Sequence, residues 1–121
     1  MSSLMPIPKE LPHWLTEEDL DQYVDTFKTS GFRGGLNWYR NIDSLPGILA
    51  PFVGATIKQP ALYMFGEHDL IAGNEESLVE SMRTTLPNLT EIIKMEGAGH
   101  WLQQERPDEV NEHLLKFLAG L

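Results

Sequence analysis

The sequence predicts an α/β fold in which two parallel strands are joined through a helix and covered by another. Three observations carry this prediction. Ala61-Leu-Tyr-Met-Phe65 is an unbroken apolar run that stops at Gly66. Without polar alternation it suits a strand buried on both faces, as in a parallel sheet. Leu89-Thr-Glu-Ile-Ile-Lys-Met95 reads as a second strand. Between them, from about Glu75 to Leu86, Leu78, Val79, Met82 and Leu86 line one helical face, so the order is that of a βαβ unit.

The elements before the first strand have a different rhythm. Thr16 stands as a helix N-cap, followed by Glu17, Glu18 and Asp19, acids that suit the positive end of the helix dipole. Leu20, Tyr23, Val24 and Phe27 then repeat at helical spacing, and Gly31 closes the segment. This predicts an amphipathic helix with one buried face. GFRGGLNWYRN reads as a glycine-flexed turn leading into a second short helix with Trp38 and Tyr39. SLPGILAPFVGA is turn-rich and reads as a linker. After the second strand, Pro107 opens a last helix whose face is Val110, Leu114, Phe117, Leu118 and Leu121. The expected organisation is therefore a helical region over 1–45, a linker over 46–58 and a βαβα region over 59–121.

Composition bounds the function classes. With 121 residues, 41% hydrophobic and 22% charged, the chain has the make-up of one globular domain. No apolar run approaches the roughly 20 residues needed to span a bilayer, and MSSLMPIPKE lacks a basic stretch followed by an apolar core. Zero cysteines exclude disulfides and thiolate chemistry. A soluble, cytoplasmic protein is expected. A formal net charge of −9 argues against nucleic acid as partner, because phosphate binding relies on clustered Lys and Arg. His13, His68, His100 and His113 form no i, i+4 pair and no H-E-x-x-H. Neither a metal nor another cofactor is expected.

The chemistry gathers at one edge. Parallel strands end on the same side of a sheet, where ligands of open α/β folds bind. Gly66-Glu-His-Asp69 follows the first strand and Gly97-Ala-Gly-His100 the second. An acid and a histidine from these two loops can meet there as an oriented base. The plainer reading stays beside it: glycines supply turn conformations, and His100 then merely fills a turn. Asp69 is the first choice of acid, with Glu67 in the same loop as the alternative. Acid before histidine, each after a parallel strand, matches the α/β-hydrolase order of nucleophile, acid, histidine.

Longer stretches sharpen this. LPHWLTEEDLDQYVDTFKTSGFRGGLNWYRNID, APFVGATIKQPALYMFGEHD and GAGHWLQQERPDEV together resemble the C-terminal part of soluble epoxide hydrolases, α/β-hydrolases with a helical lid. The resemblance runs from about Leu11 to the C-terminus. It implies the end of the lid plus the last two parallel strands with their helices. In that family an aspartate attacks an epoxide to form an alkyl ester, two lid tyrosines bond the epoxide oxygen, and an acid-oriented histidine activates water. The resemblance makes Tyr39 one lid donor, Asp69 the orienting acid and His100 the general base. On residues alone, Tyr39 reads as an amphipathic side chain at the core edge, and Trp38 and Trp101 as pocket lining or core.

No G-x-S-x-G and no glycine-framed aspartate elbow stands in the chain. The resemblance places the nucleophile, the second lid tyrosine and most of the sheet upstream of Met1. The chain by itself is then expected to be inactive toward a small-molecule epoxide, and to associate with a second copy or need an N-terminal half. Two other classes stand beside this one. The first is a non-catalytic protein-binding module derived from the fold; the second is a haloalkane dehalogenase or esterase of the same superfamily, which Tyr39 in GFRGGLNWYRN disfavours.

Overall fold

A computed structural model describes residues 8–70 and 75–121. Residues 1–7, read above for a leader, and 71–74 lie outside the described residues. The chain divides into two compact units, with the boundary after Pro51.

The first unit is helical. Helix α1 spans Glu17–Ser30 and begins at Thr16, whose extended backbone ends the preceding turn. The Thr16 hydroxyl oxygen accepts from the Asp19 N–H at 3.1 Å, and the Thr16 N–H donates to Asp19 Oδ2 at 3.0 Å. This reciprocal pair satisfies amide groups that the first helical turn leaves without partners. The Thr16 hydroxyl also donates to Asp19 Oδ2 at 2.7 Å, and this bond first, with the Thr16 N–H second, holds the Asp19 carboxyl below the usual aspartate range. Gly31 stops the helix at φ 65°, its N–H bonded to Phe27 O. A Cβ would disfavour that conformation.

Helix α2 spans Arg33–Arg40 and takes Gly34 and Gly35 into its first turn, so the glycine pair lies inside the helix rather than in a turn before it. A single turn of 3₁₀ helix follows at Ile42–Ser44, then α3 at Leu45–Leu49 with Pro46 in its first turn, then 3₁₀ again at Ala50–Phe52. The segment expected as open linker is thus helical as far as Phe52. Pro46 fits there because the first turn of a helix needs no N–H from it. The α1 stripe has the predicted spacing, but it is not a buried face: Leu20, Tyr23, Val24 and Phe27 are all exposed.

The second unit holds the strands. Strand β1 spans Ala61–Gly66, helix α4 spans Glu75–Thr85, and strand β2 spans Leu89–Met95, parallel to β1. Tyr63 pairs with Ile92, Phe65 with Lys94 and Gly66 with Met95. Among the described residues the sheet has these two strands. Its first strand is buried only at Phe65 and Gly66, with Ala61–Met64 half-buried. The expectation of burial on both faces along the whole strand is therefore met only at its C-terminal end, because no further described strand flanks it. A short helix α5 at Leu102–Glu105 follows, then α6 at Pro107–Ala119, which packs against β1.

The core lies beneath the C-terminal edge of the strand pair. Met95, Ala98, Leu102 and Val110 form one buried cluster, with Met64 and Ile93 packed on it. Burying a side chain such as Leu102 or Val110 contributes about 1.5–3 kcal/mol. Two members, Ala98 and Leu102, bracket the Gly99-His100-Trp101 stretch, so the core anchors the loop on which His100 rides.

Candidate active site

Parallel pairing brings the ends of β1 and β2 together, and the backbone continues the join beyond the strands. The Glu67 N–H donates to Met95 O at 3.0 Å and the His68 N–H to Ala98 O at 2.9 Å. The two loops are stitched edge to edge. Gly66 makes the approach sterically feasible: a Cβ there would lie 2.0 Å from Gly99 O and 2.5 Å from Ala98 O. Gly97, at φ 67°, supplies the turn that sends the chain back over the strand end.

This places Asp69 Oδ1 3.0 Å from His100 Nδ1. A carboxylate can only accept, so the ring proton belongs on Nδ1 and Nε2 is left with its lone pair free to take a proton. The Asp69 side chain is 13% exposed and that of His100 46%. A sheltered acid therefore holds a half-open base. Trp101 stands edge-on to the imidazole, with ring centroids 5.0 Å apart at 74°. From β1, Tyr63 is kept protonated to higher pH by burial first and by the Asp69 charge second.

Glu67, the alternative acid, is engaged elsewhere: its Oε2 accepts from the Gly97 N–H at 2.9 Å. That bond, more than the nearby His68 and Lys94 charges, draws its carboxyl below the usual glutamate range. Glu105 was not singled out from sequence. Its carboxylate accepts from the Gly99 N–H and the Trp101 N–H. The only advance sign would have been an acid at the end of the short segment before Pro107, which no spacing rule ties to His100.

Tyr39 and Trp38 lie in the first unit on α2, and Trp38 is 79% exposed. Trp101 in the second unit is 57% exposed. Neither tryptophan packs into the core. Among the described residues no group of three or more His, Cys, Asp or Glu stands where it could hold a metal ion. No described helix is long and apolar enough to cross a membrane.

A parallel βαβ edge bearing an acid and then a histidine, followed by covering helices, has the form of the closing segment of an α/β-hydrolase. No family model matches the sequence. Over 97% of its length the chain is 43% identical to epoxide hydrolase A of Mycobacterium tuberculosis, of which it covers 36%. It superposes on epoxide hydrolase A of Mycobacterium thermoresistibile with a TM-score of 0.87 at 45% identity, covering 96% of this chain and 36% of that one. A Vigna radiata epoxide hydrolase variant gives 0.89 at 32% identity, over 96% of this chain and 38% of that one. The chain is thus similar to epoxide hydrolases over nearly its whole length and spans about a third of the length of the curated relatives it matches.

Proposed function

We propose that this chain supplies the water-activating base and one lid donor of an epoxide hydrolase, acting with an aspartate nucleophile from outside these 121 residues. In this reading the aspartate forms a C–O bond to an epoxide carbon as the ring C–O bond breaks. The Tyr39 phenol hydrogen goes to the departing oxygen, which a neutral donor stabilises as charge develops. His100 Nε2 then takes a proton from water. The resulting hydroxide attacks the ester carbonyl, the bond between the carbonyl carbon and the alkyl oxygen breaks, and the imidazolium returns its proton to the alkoxide so released. A vicinal diol leaves, and the aspartic acid so formed gives its proton back to the Tyr39 phenolate, restoring both residues. Asp69 keeps the imidazole in the productive tautomer. No cofactor enters any step. The observation that carries the reading is the 3.0 Å pairing of His100 Nδ1 with Asp69 Oδ1.

The test joins the chain to a segment that carries an aspartate elbow and follows the protein by mass spectrometry after brief exposure to an epoxide. The chain alone gives no diol. In the joined protein, His100→Ala accumulates a substrate adduct, because attack by an ionised carboxylate needs no base. Tyr39→Phe forms the adduct about 10²-fold more slowly. If neither variant shows an adduct while both lose activity in parallel, the assigned roles are wrong and direct attack by base-activated water replaces them.

A further inference from the structure

We propose that Glu105 is a positioning residue for His100, its carboxylate clamping the backbone on both sides of the histidine and so holding the ring against Asp69. This rests on the reading of His100 as the base. Glu105 Oε2 accepts from the Gly99 N–H at 2.6 Å and Oε1 from the Trp101 N–H at 2.9 Å. The two bonded amides are those of the residues immediately before and after His100. Bonds from an N–H to an ionised acceptor are roughly twice as strong as neutral ones, and the half-buried setting of Glu105 strengthens them further.

The fit is mutual. A Cβ on Gly99 would lie 3.0 Å from Oε1 and 3.3 Å from Oε2, so the absence of a side chain at Gly99 lets the carboxylate come this close. Glu105 is itself fixed: its N–H donates to Trp101 O at 2.9 Å, and buried Leu102 anchors the same short helix. Both carboxylate oxygens are used. Glutamine has the same shape but one acceptor oxygen, and its amide group would turn a donor toward a donor. Glu105→Gln therefore separates a clamp from a space-filler.

Chain labelled with ¹⁵N is compared with Glu105→Gln and Glu105→Ala at a pH where the imidazole is neutral. In the wild type, the His100 ring shows its proton on Nδ1, and the Gly99 and Trp101 amide protons lie downfield. In Glu105→Gln one of these amides moves upfield and the His100 ring nitrogens shift toward the averaged values of a mobile imidazole. In Glu105→Ala both amides move and the ring shift is larger, while the amides of Ile92–Met95 stay in place. Should the alanine variant lose those β2 signals, the glutamine variant decides alone. The proposal is overturned if the His100 ring signals are unchanged in Glu105→Gln, whether or not the amides move. A wild-type ring protonated on Nε2 instead refutes the reading of His100 as an Asp69-held base, and the amide and ring shifts on going to Glu105→Gln still test the clamp.

Discussion

The two compact units form structure by different means. Among the described residues before Phe52 not one helical residue is buried, and Phe32, Leu36, Trp38 and Tyr39 are exposed together with the α1 stripe. Its helices stand on local devices: the Thr16–Asp19 reciprocal cap, the Gly31 stop, and the Phe27–Phe32 stack with centroids 4.6 Å apart. In the other unit the buried residues Phe65, Leu89, Met95, Ala98, Leu102 and Val110 come from segments far apart in the chain. There the structure depends on non-local contacts. The contrast teaches that helices need only neighbours in sequence to be specified, whereas a strand pair and the loops that close it depend on fit between distant backbones.

The sharpest way to break the contrast is Gly66→Ala. The new methyl group meets backbone, not a flexible side chain, so the Ala98–Gly99 loop must shift. We expect a loss of about 3 kcal/mol or more, read as a lower urea midpoint for the β1 and β2 amides with α1 exchange unaltered. An unchanged midpoint would show that the loop yields freely. Thr16→Ala works in the opposite direction. It should cost about 1 kcal/mol, appear as faster amide exchange confined to α1, and leave β2 protection intact; equal losses in both units would mean that they unfold as one.

The smallest effect is expected from acid. The Glu67 and Asp19 carboxyls are both depressed below their ordinary ranges by backbone or hydroxyl donors. Their contribution is therefore fully present above the unfolded-state values and fades as pH falls through the lower folded ones. Acidification should move the Gly97 amide resonance together with the Glu67 titration and fray the first turn of α1. In Glu67→Gln the Gly97 response should vanish while that of α1 persists. A Gly97 shift that survives this substitution would assign it to another group.

Much of this was legible in the sequence, for identifiable reasons. The start of the first strand at Ala61 follows from an unbroken apolar run, and the meeting of Asp69 with His100 follows from the rule that parallel strands end together. The α1 cap was visible because Thr16 and three acids stand in adjacent positions. Other features were hidden. Periodicity marks which face of α1 is apolar but says nothing of what covers it. Gly34 and Gly35 look like turn residues, yet a helix tolerates them near its start. The need for glycine at position 66 arises from a contact with residues far along the chain, not from its own turn. Glu105 reaches back to the amides of Gly99 and Trp101, a relation that leaves no periodic trace.

The strand register has a consequence for how this segment can change over time. Ala61 pairs with Leu89 but Leu62 pairs with Glu91, so Thr90 is an extra residue taken up at the start of the pair, where its hydroxyl donates to Ala61 O at 2.9 Å. From Leu62 onward the pairing stays in phase through Gly66 and Met95. Irregularity is thus confined to the end remote from Asp69 and His100. A one-residue insertion or deletion near Pro87–Asn88 falls where the ladder already accommodates such a step. The same change between Phe65 and Asp69 would fall in the stretch stitched to Met95 and Ala98 and carry the acid away from the histidine. Length variation in descendants of this sequence should therefore be found at the entrance to the second strand and be purged from the exit of the first.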